Sequence, residues 1–327
     1  MPEQSAAAAP LVSVVIPAYR VAQYIAAALD SVLAQTLQDF EIVVVNDGSP
    51  DTEELEKVLA PYRDRIVYLR QQNQGPGGAR NTGIRTARGR YIAFLDADDI
   101  WGPEHLAAQV AVLEAGPSVD MVYADARIFG DVPEAGRTVM ELCPSQGEVT
   151  FERLVTRQCT VHICVSVCRR DALLRAGLFD PAFRGTEDID LWLRIVRQGG
   201  RIVYQRRVLG KYRRHPESLS ADPVIMIEGF LAVLAKTARD PDLTDAQREI
   251  VARQCRAERA SVDLHKGKQA LLAGDTETAV RLLTQAGAQH KSVKLAAVLL
   301  LLHVAPSLPR ALYRWRGRRV YKLKTQS

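Results

Sequence analysis

LVSVVIP, Leu11 to Pro17, is the stretch that decides the fold. Val12, Val14, Val15 and Ile16 are β-branched, and only Ser13 interrupts the apolar run. A short run that is apolar on both faces reads as a strand covered on both sides, and Pro17 closes it. Working outward, Val21 to Gln35 has helical spacing, with Ile25, Leu29, Val32 and Leu33 on one side. Phe40 to Val45 (FEIVVV) is a second buried strand and ends at Asn46-Asp47-Gly48-Ser49. Asp51 and Glu54 have the spacing of a capping box that opens the next helix. Ile66 to Leu69 predicts a third strand, and Tyr91 to Leu95 (YIAFL) a fourth, followed by Asp96-Ala97-Asp98-Asp99.

Strands that alternate with helices and are nearly continuous in apolar residues predict an α/β fold with a mostly parallel central sheet. In open sheets of this kind ligands bind beyond the carboxyl ends of the strands. Three polar clusters lie at such ends: Pro17-Ala18-Tyr19, Asp47-Gly48-Ser49 and Asp96 to Asp99. They are expected to line one crevice.

From about Asp222 the pattern turns helical, over Ile225 to Ala238 and Asp245 to Leu272. Asp263 to Ala286 reads as a helical hairpin broken at Gly274-Asp275. The expected organisation is a disordered N-terminus at 1–10, a catalytic domain at 11–222, a helical domain at 223–290 and a basic amphipathic tail at 291–327. Met1 to Pro10 lacks the charged start and apolar core of a signal peptide, and no run reaches the ~20 apolar residues that span a bilayer. The five cysteines are odd in number and without CxxC spacing, which argues for reduced thiols in a cytoplasm. Cys164, Ser166, Cys168 and His162 would share one face of a strand, either as small buried groups or as a zinc site. The net charge is +5, yet the segment from Thr278 to the end holds ten Lys and Arg and no acid. The rest of the chain is therefore acidic, which excludes a general nucleic-acid-binding surface.

The Asp96, Asp98 and Asp99 cluster repels itself unless a cation relieves it, and carboxylate oxygens suit Mg2+ or Mn2+. Asp99 alone could instead cap the helix that contains His105 to Leu113. Gly75-Pro76-Gly77-Gly78-Ala79-Arg80-Asn81 reads as a flexible turn or as backbone built to approach a ligand, with Arg80 able to contact phosphate or ribose. It is not the GxGxxG dinucleotide fingerprint. Glu187-Asp188-Ile189-Asp190 opens a helix whose buried side would be Ile189, Leu193 and Val196. Acids at a helix start are favoured by the dipole, and beside a glycine turn they also suit a general base.

Together, Val14 to Tyr19, Val45 to Ser49, Ala79 to Gly83, Phe94 to Asp99 and Glu187-Asp188 occur in an order that resembles family 2 of the inverting glycosyltransferases. The resemblance covers roughly Leu11 to Ser220. It implies the A-type glycosyltransferase fold, a nucleotide-sugar donor (a UDP-sugar by default), a divalent metal, and a glycan or lipid-linked acceptor. It also implies roles: Asp47 on the base, Pro17 and Tyr19 where the base packs, Asp96 on ribose, Asp98 on the metal, Arg80 in a loop over the nucleotide, and Asp188 as catalytic base. His215, within Tyr212 to Ser218, resembles a late motif near the diphosphate, or is an exposed loop residue. The QxxRW motif of processive members is absent, so one or a few sugars are expected per acceptor. Two rivals are a sugar-1-phosphate nucleotidyltransferase, which would need a glycine-rich basic loop after the first strand, and a non-catalytic membrane adapter, which has no use for these carboxylates.

The tail points to a membrane surface. Leu295 to Ala305 is apolar but too short to span, and Arg310, Arg314, Arg316, Arg318, Arg319, Lys322 and Lys324 follow, interleaved with Tyr313, Trp315 and Tyr321. Aromatic residues favour the headgroup interface, and each basic residue gains about 1 kcal/mol near anionic lipid. The expectation is a peripheral protein at the inner face of the cell membrane; the alternative is a helix packed on the helical domain with a solvated basic end. Deleting 291–327 should release the protein from anionic vesicles in a flotation assay while sparing donor hydrolysis; equal flotation of both forms at low and high salt would show that the anchor lies elsewhere.

Overall fold

A computed structural model describes residues 9–215, 218, 221–289 and 293–304, with the side chains of the last helix described over 295–302. Most of the expected N-terminal segment and of the basic tail lies outside the described residues. The chain divides into two compact units, Met1–Ala221 and Asp222–Ser327.

The first unit is built on eight strands: β1 (Val12–Ala18), β2 (Phe40–Asn46), β3 (Val67–Arg70), β4 (Tyr91–Phe94), β5 (Ile100–Trp101), β6 (Val119–Phe129), β7 (Ser166–Arg169) and β8 (Arg201–Arg213). They form one sheet in the order β3-β2-β1-β4-β7-β6-β8-β5. The first four run parallel, with Val14 opposite Ile42 and Val12 opposite Tyr91. Val12, Val14, Val15 and Ile16 have no exposed surface, as the two-sided apolar reading of β1 requires. β7 then reverses the direction, pairing antiparallel with both β4 and β6; β6 runs parallel to β8, and β5 closes the edge antiparallel.

Helices α1 (Ile25–Leu33), α2 (Thr52–Leu59), α3 (Gly75–Thr86) and α4 (His105–Ala115) connect the strands, followed by the short α5 (Val139–Leu142), α6 (Phe151–Val155) and α7 (Arg170–Arg175), and by α8 (Glu187–Arg197). Several expectations are corrected. α1 starts at Ile25 because residues 21–24 form a turn, with Tyr24 N donating to Val21 O. Asp51 precedes α2 but makes no capping bond there; its carboxylate accepts from Ala22 N at 3.1 Å and from the Ser49 hydroxyl, fastening the turn after β2 to the start of α1. The glycine-rich segment is no flexible turn: Gly75 to Asn81 form the first half of α3. On α8 the inward residues are Leu191, Trp192, Leu193 and Ile195, while Ile189 and Val196 are half-buried, because Trp192 is drawn fully into the core against Phe179. Cys164 lies in a 3-10 turn ahead of β7, so the alternation expected across His162 to Cys168 is broken. Its thiol lies 2.9 Å from His162 Nδ1, and among the described residues no three His, Cys, Asp or Glu side chains gather as a metal cage.

The second unit holds α9 (Pro223–Thr237), α10 (Asp245–Ala273), α11 (Thr276–Gln289) and α12 (Val293–Val304). Asp222 caps α9 through Val224 N at 2.8 Å, and Thr244 and Gln247 form a full capping box on α10. Gly274 ends α10 at φ +95°, where a side chain would be strained, and so makes the expected hairpin turn. Leu271, Ala279, Leu283 and Ala286 form its core with Leu295 and Leu302. Among the described residues no helix is long and apolar enough to cross a membrane.

α3 carries the glycine-rich motif and lies directly on β1. A Cβ on Gly83 would stand 2.4 Å from Val15 Cγ1, which leaves no room for any side chain. Gly83→Val should therefore destabilise the protein by about 1–3 kcal/mol, the usual cost of overpacking. A urea unfolding midpoint equal to wild type would show that α3 is not pressed onto β1.

Candidate active site

Strand order brings the three polar clusters together. β1 lies between β2 and β4, so the carboxyl ends of these three strands are neighbours although the sequence separates them. Asp47 N donates to Ala18 O at 3.0 Å, fastening the end of β2 to that of β1.

At the β2 end, Asp47 is 2% exposed. Its Oδ1 accepts from Gln71 Nε2 at 2.7 Å and from Gln74 N at 2.9 Å. Its carbonyl accepts from Asn73 Nδ2 at 2.9 Å. The carboxylate is thus held in one orientation by the segment after β3. Thr82 in turn donates to Gln71 Oε1 at 2.6 Å. Gln71 and Asn73 belong to no motif; their signal in the sequence is the polar run Gln71-Gln72-Asn73-Gln74 at a strand's carboxyl end. Gly48 has φ +65°, and a Cβ there would meet Asn73 N at 2.9 Å, so only glycine lets the two segments touch. Pro17 pairs with Val45 near the end of β1, and Tyr19 just beyond that strand is 43% exposed. Arg20 beside it has φ +56°, its N donates to Ser49 Oγ at 2.6 Å, and its guanidinium lies over the Tyr19 ring. An exposed ring next to an oriented carboxylate can stack a flat heterocycle and accept a hydrogen bond from it.

At the β4 end the central residue is Arg80. The expectation of a loop position is corrected: Arg80 belongs to α3 and is 4% exposed. Nη2 meets Asp96 Oδ1 at 2.6 Å, Nη1 meets Glu187 Oε1 at 2.6 Å, and the guanidinium lies over the Phe179 ring. Burial alone would favour its neutral form, but Asp96 and Glu187 more than offset this and hold it charged. Next to it, Asn81 Nδ2 donates to Phe179 O at 2.7 Å and Asn81 Oδ1 accepts from Phe179 N at 2.9 Å. These contacts bind α3 to the segment that leads into α8 and bring Glu187-Asp188 to Asp96.

Asp188 follows Glu187 in the first turn of α8, partly exposed, with Oδ1 accepting from Ile189 N at 2.8 Å. Its enclosed setting, and then the Glu187 carboxylate, push its pKa up to about 7 against the pull of Arg80. Asp98 is raised as well, by burial first and by Asp96 second. Its Oδ2 lies 3.4 Å from His215 Nε2. Asp99, 1% exposed, is pushed well up by burial, with Asp98 and Asp96 adding to it. It does not cap α4, whose N-cap is Glu104; it accepts from Arg213 N at 2.7 Å instead. The donor set fits a hard divalent cation: a carboxylate in a surplus of negative charge with an imidazole beside it. A partial set of this kind suits an ion whose remaining ligands are phosphate oxygens and water.

The family model described as Glycosyl transferase family 2 matches residues 13–173. An uncharacterized glycosyltransferase of Rickettsia felis is 35% identical over 215 residues, 64% of this chain and 35% of that protein. The Escherichia coli UDP-Glc:alpha-D-GlcNAc-diphosphoundecaprenol beta-1,3-glucosyltransferase WfgD is 31% identical over 233 residues, 71% of this chain and 88% of that enzyme. The chain therefore spans about a third of the first relative and most of the second. Among solved structures, residues 1-349 of S. aureus TarS with UDP-GlcNAc align at TM-score 0.61 and 18% identity, over 94% of this chain and 91% of that one. The mannosyltransferase PcManGT from Pyrobaculum calidifontis, with GDP-Man and Mn2+, aligns at TM-score 0.61 and 23% identity, over 96% and 85%. At those identities the likeness is one of fold, the A-type glycosyltransferase sheet followed by helices. With the motifs of the crevice and a relative matched over most of its length, this chain belongs to glycosyltransferase family 2.

Proposed function

We propose that this chain is an inverting glycosyltransferase that moves a sugar from a nucleotide sugar, a UDP-sugar by default, to a hydroxyl of a glycan or lipid-linked acceptor in cell-surface polysaccharide synthesis. One observation carries it: Arg80 ties Asp96 at the end of β4 to Glu187 at the start of α8, so that a carboxylate with a pKa of about 7 stands beside the nucleotide-side aspartates. The E. coli relative is named for a UDP-glucose donor and a diphosphoundecaprenol acceptor, and TarS holds UDP-GlcNAc, which supports the donor and acceptor classes.

In this reading Tyr19 and Pro17 pack the base and Asp47 accepts its hydrogen bond. Asp96, oriented by Arg80, accepts from the ribose. Asp98, with His215, would hold Mg2+ or Mn2+ on the diphosphate, where the ion supplies charge neutralisation to the leaving group. Asp188 takes the proton of the acceptor hydroxyl. The acceptor oxygen forms its bond to the anomeric carbon opposite the departing nucleoside diphosphate, so the configuration inverts and no covalent enzyme intermediate forms. Asp188 suits the task because a base with pKa near the working pH is substantially ionised yet still basic enough to take a proton. For the membrane role, the outer side of α12 exposes Leu300 (68%) and Leu301 (38%) just before the basic tail. Leucines at the hydrocarbon boundary followed by basic residues at the headgroups suit a helix lying in the interface.

Asp188→Asn should leave donor affinity nearly intact and lower kcat by about 10²–10⁴, the range of general acid–base catalysis. In the wild type kcat/KM should fall about tenfold per unit as pH drops below about 7, because protonation of the raised carboxyl removes the base. A flat acid limb, or normal turnover by the variant, would move the base to another residue. Asp98→Asn should abolish transfer and remove the metal-dependent part of donor binding measured by calorimetry, since an amide is a neutral, poorer ligand. Full activity in excess chelator would count against it.

A further inference from the structure

β8 ends at Arg213, and the backbone that follows it must carry His215 to Asp98 without the support of a strand ladder. Arg213 is anchored in four ways. Its N donates to Asp99 Oδ1 at 2.7 Å. Its Nε donates to Asp98 O at 2.9 Å. Its guanidinium stands between two rings, 4.6 Å from the centroid of Tyr24 and 4.3 Å from that of Phe129. Arg214 N adds a bond to Phe129 O at 2.9 Å. Two residues on, the His215 ring lies 5.6 Å from the same Tyr24 ring, with Nε2 3.4 Å from Asp98 Oδ2.

We propose that Arg213 is a positioning residue that locks His215 and Asp98 into one unit, with Asp99 as its buried anchor, and so sets the cation affinity of the diphosphate end of the crevice. The inference rests on the reading of Asp98 and His215 given above. The physical reason is that Arg213 grips both sides of the pair. Its side chain holds the main chain of Asp98, and its own main chain is held by the neighbour of Asp98. A planar guanidinium can stack on two rings and still direct Nε–H in its plane to a carbonyl. This also explains three aspartates in four positions: Asp99 has no room at the ligand and serves the backbone of β8. Partners that orient metal ligands typically contribute about 10–100-fold to metal affinity.

The test compares UDP affinity with and without Mn2+, by calorimetry on the full chain. Wild type should bind UDP more tightly with Mn2+. In Arg213→Ala that gain should fall by roughly tenfold or more, while affinity in chelator stays at the wild-type value because Asp47 and Tyr19 are untouched. Arg213→Lys, which keeps a cation between the rings, should recover part of the gain. An Arg213→Ala protein with an undiminished Mn2+ gain would overturn the proposal. Equal loss with and without metal would overturn it too, since that is the signature of general structural support. If wild type shows no Mn2+ gain, the diphosphate reading of Asp98 falls, and Arg213 is then judged by NMR alone. The His215 ring resonances, assigned by their loss in His215→Ala, should shift in Arg213→Ala; resonances that stay in place would overturn the positioning role.

Discussion

The Arg80 guanidinium, buried between Asp96 and Glu187, is the contact on which the crevice depends. A buried charge is tolerated only when it is paired and hydrogen-bonded, and removing one partner leaves the other uncompensated. Three elements therefore have to meet at Arg80: the end of β4, the middle of α3 and the first turn of α8. The Asn81 clamp on Phe179 fixes the same junction through neutral hydrogen bonds. Asp188, the chain neighbour of Glu187, is held at the same junction, which gives it the fixed position its proposed role as general base requires.

The same junction explains how so many acids share one crevice. Asp96 and Glu187 share the single charge of Arg80 through ion pairs. Asp98, Asp99 and Asp188 are pushed above the usual carboxylate range by burial first and then by neighbouring carboxylates, Asp96 beside Asp98, Asp98 beside Asp99 and Glu187 beside Asp188. Their surroundings then separate their tasks. Asp99 is enclosed and faces the backbone of Arg213. Asp98 stays partly open beside His215. Asp188 sits near neutrality at the edge of the enclosure.

Much of this was legible in the residues. The two-sided apolar runs of β1, β2 and β4 and the acids and glycines after them were readable because a strand covered on both faces has no polar side to hide. The hairpin at Gly274 was readable because a left-handed turn favours glycine so strongly. β5, β6 and β8 were not. β8 is rich in arginine, and its pairing with β6 shifts register between Tyr123 and Asp125, which erases the period of two. The glycine-rich Gly75 to Asn81 reads as a turn or as backbone built to approach a ligand because glycine is a poor helix former; here Gly77 packs closely against Glu187 and Phe179, and packing overrides propensity. Asp51 had the right spacing for a cap, but Ala22 N and the Ser49 hydroxyl claim its oxygens instead.

What the sequence determined by itself was the set of strands in the parallel half of the sheet and the chemistry at their ends, because hydrophobic period and turn residues are local properties. Tyr19, Asp47, Asp96 and Asp98 follow strands, so local order already pointed them at one edge of the sheet. Only the tertiary structure decided that Arg80 lies buried in α3 rather than in a loop, that Asp99 serves β8 rather than α4, and that Asp188 and His215 join the aspartates after β4. Those pairings span 107 residues from Arg80 to Glu187 and 117 from Asp98 to His215. They are selected by burial of charge, which no window of sequence can register, since the free energy of a buried carboxylate depends on what the rest of the chain places beside it.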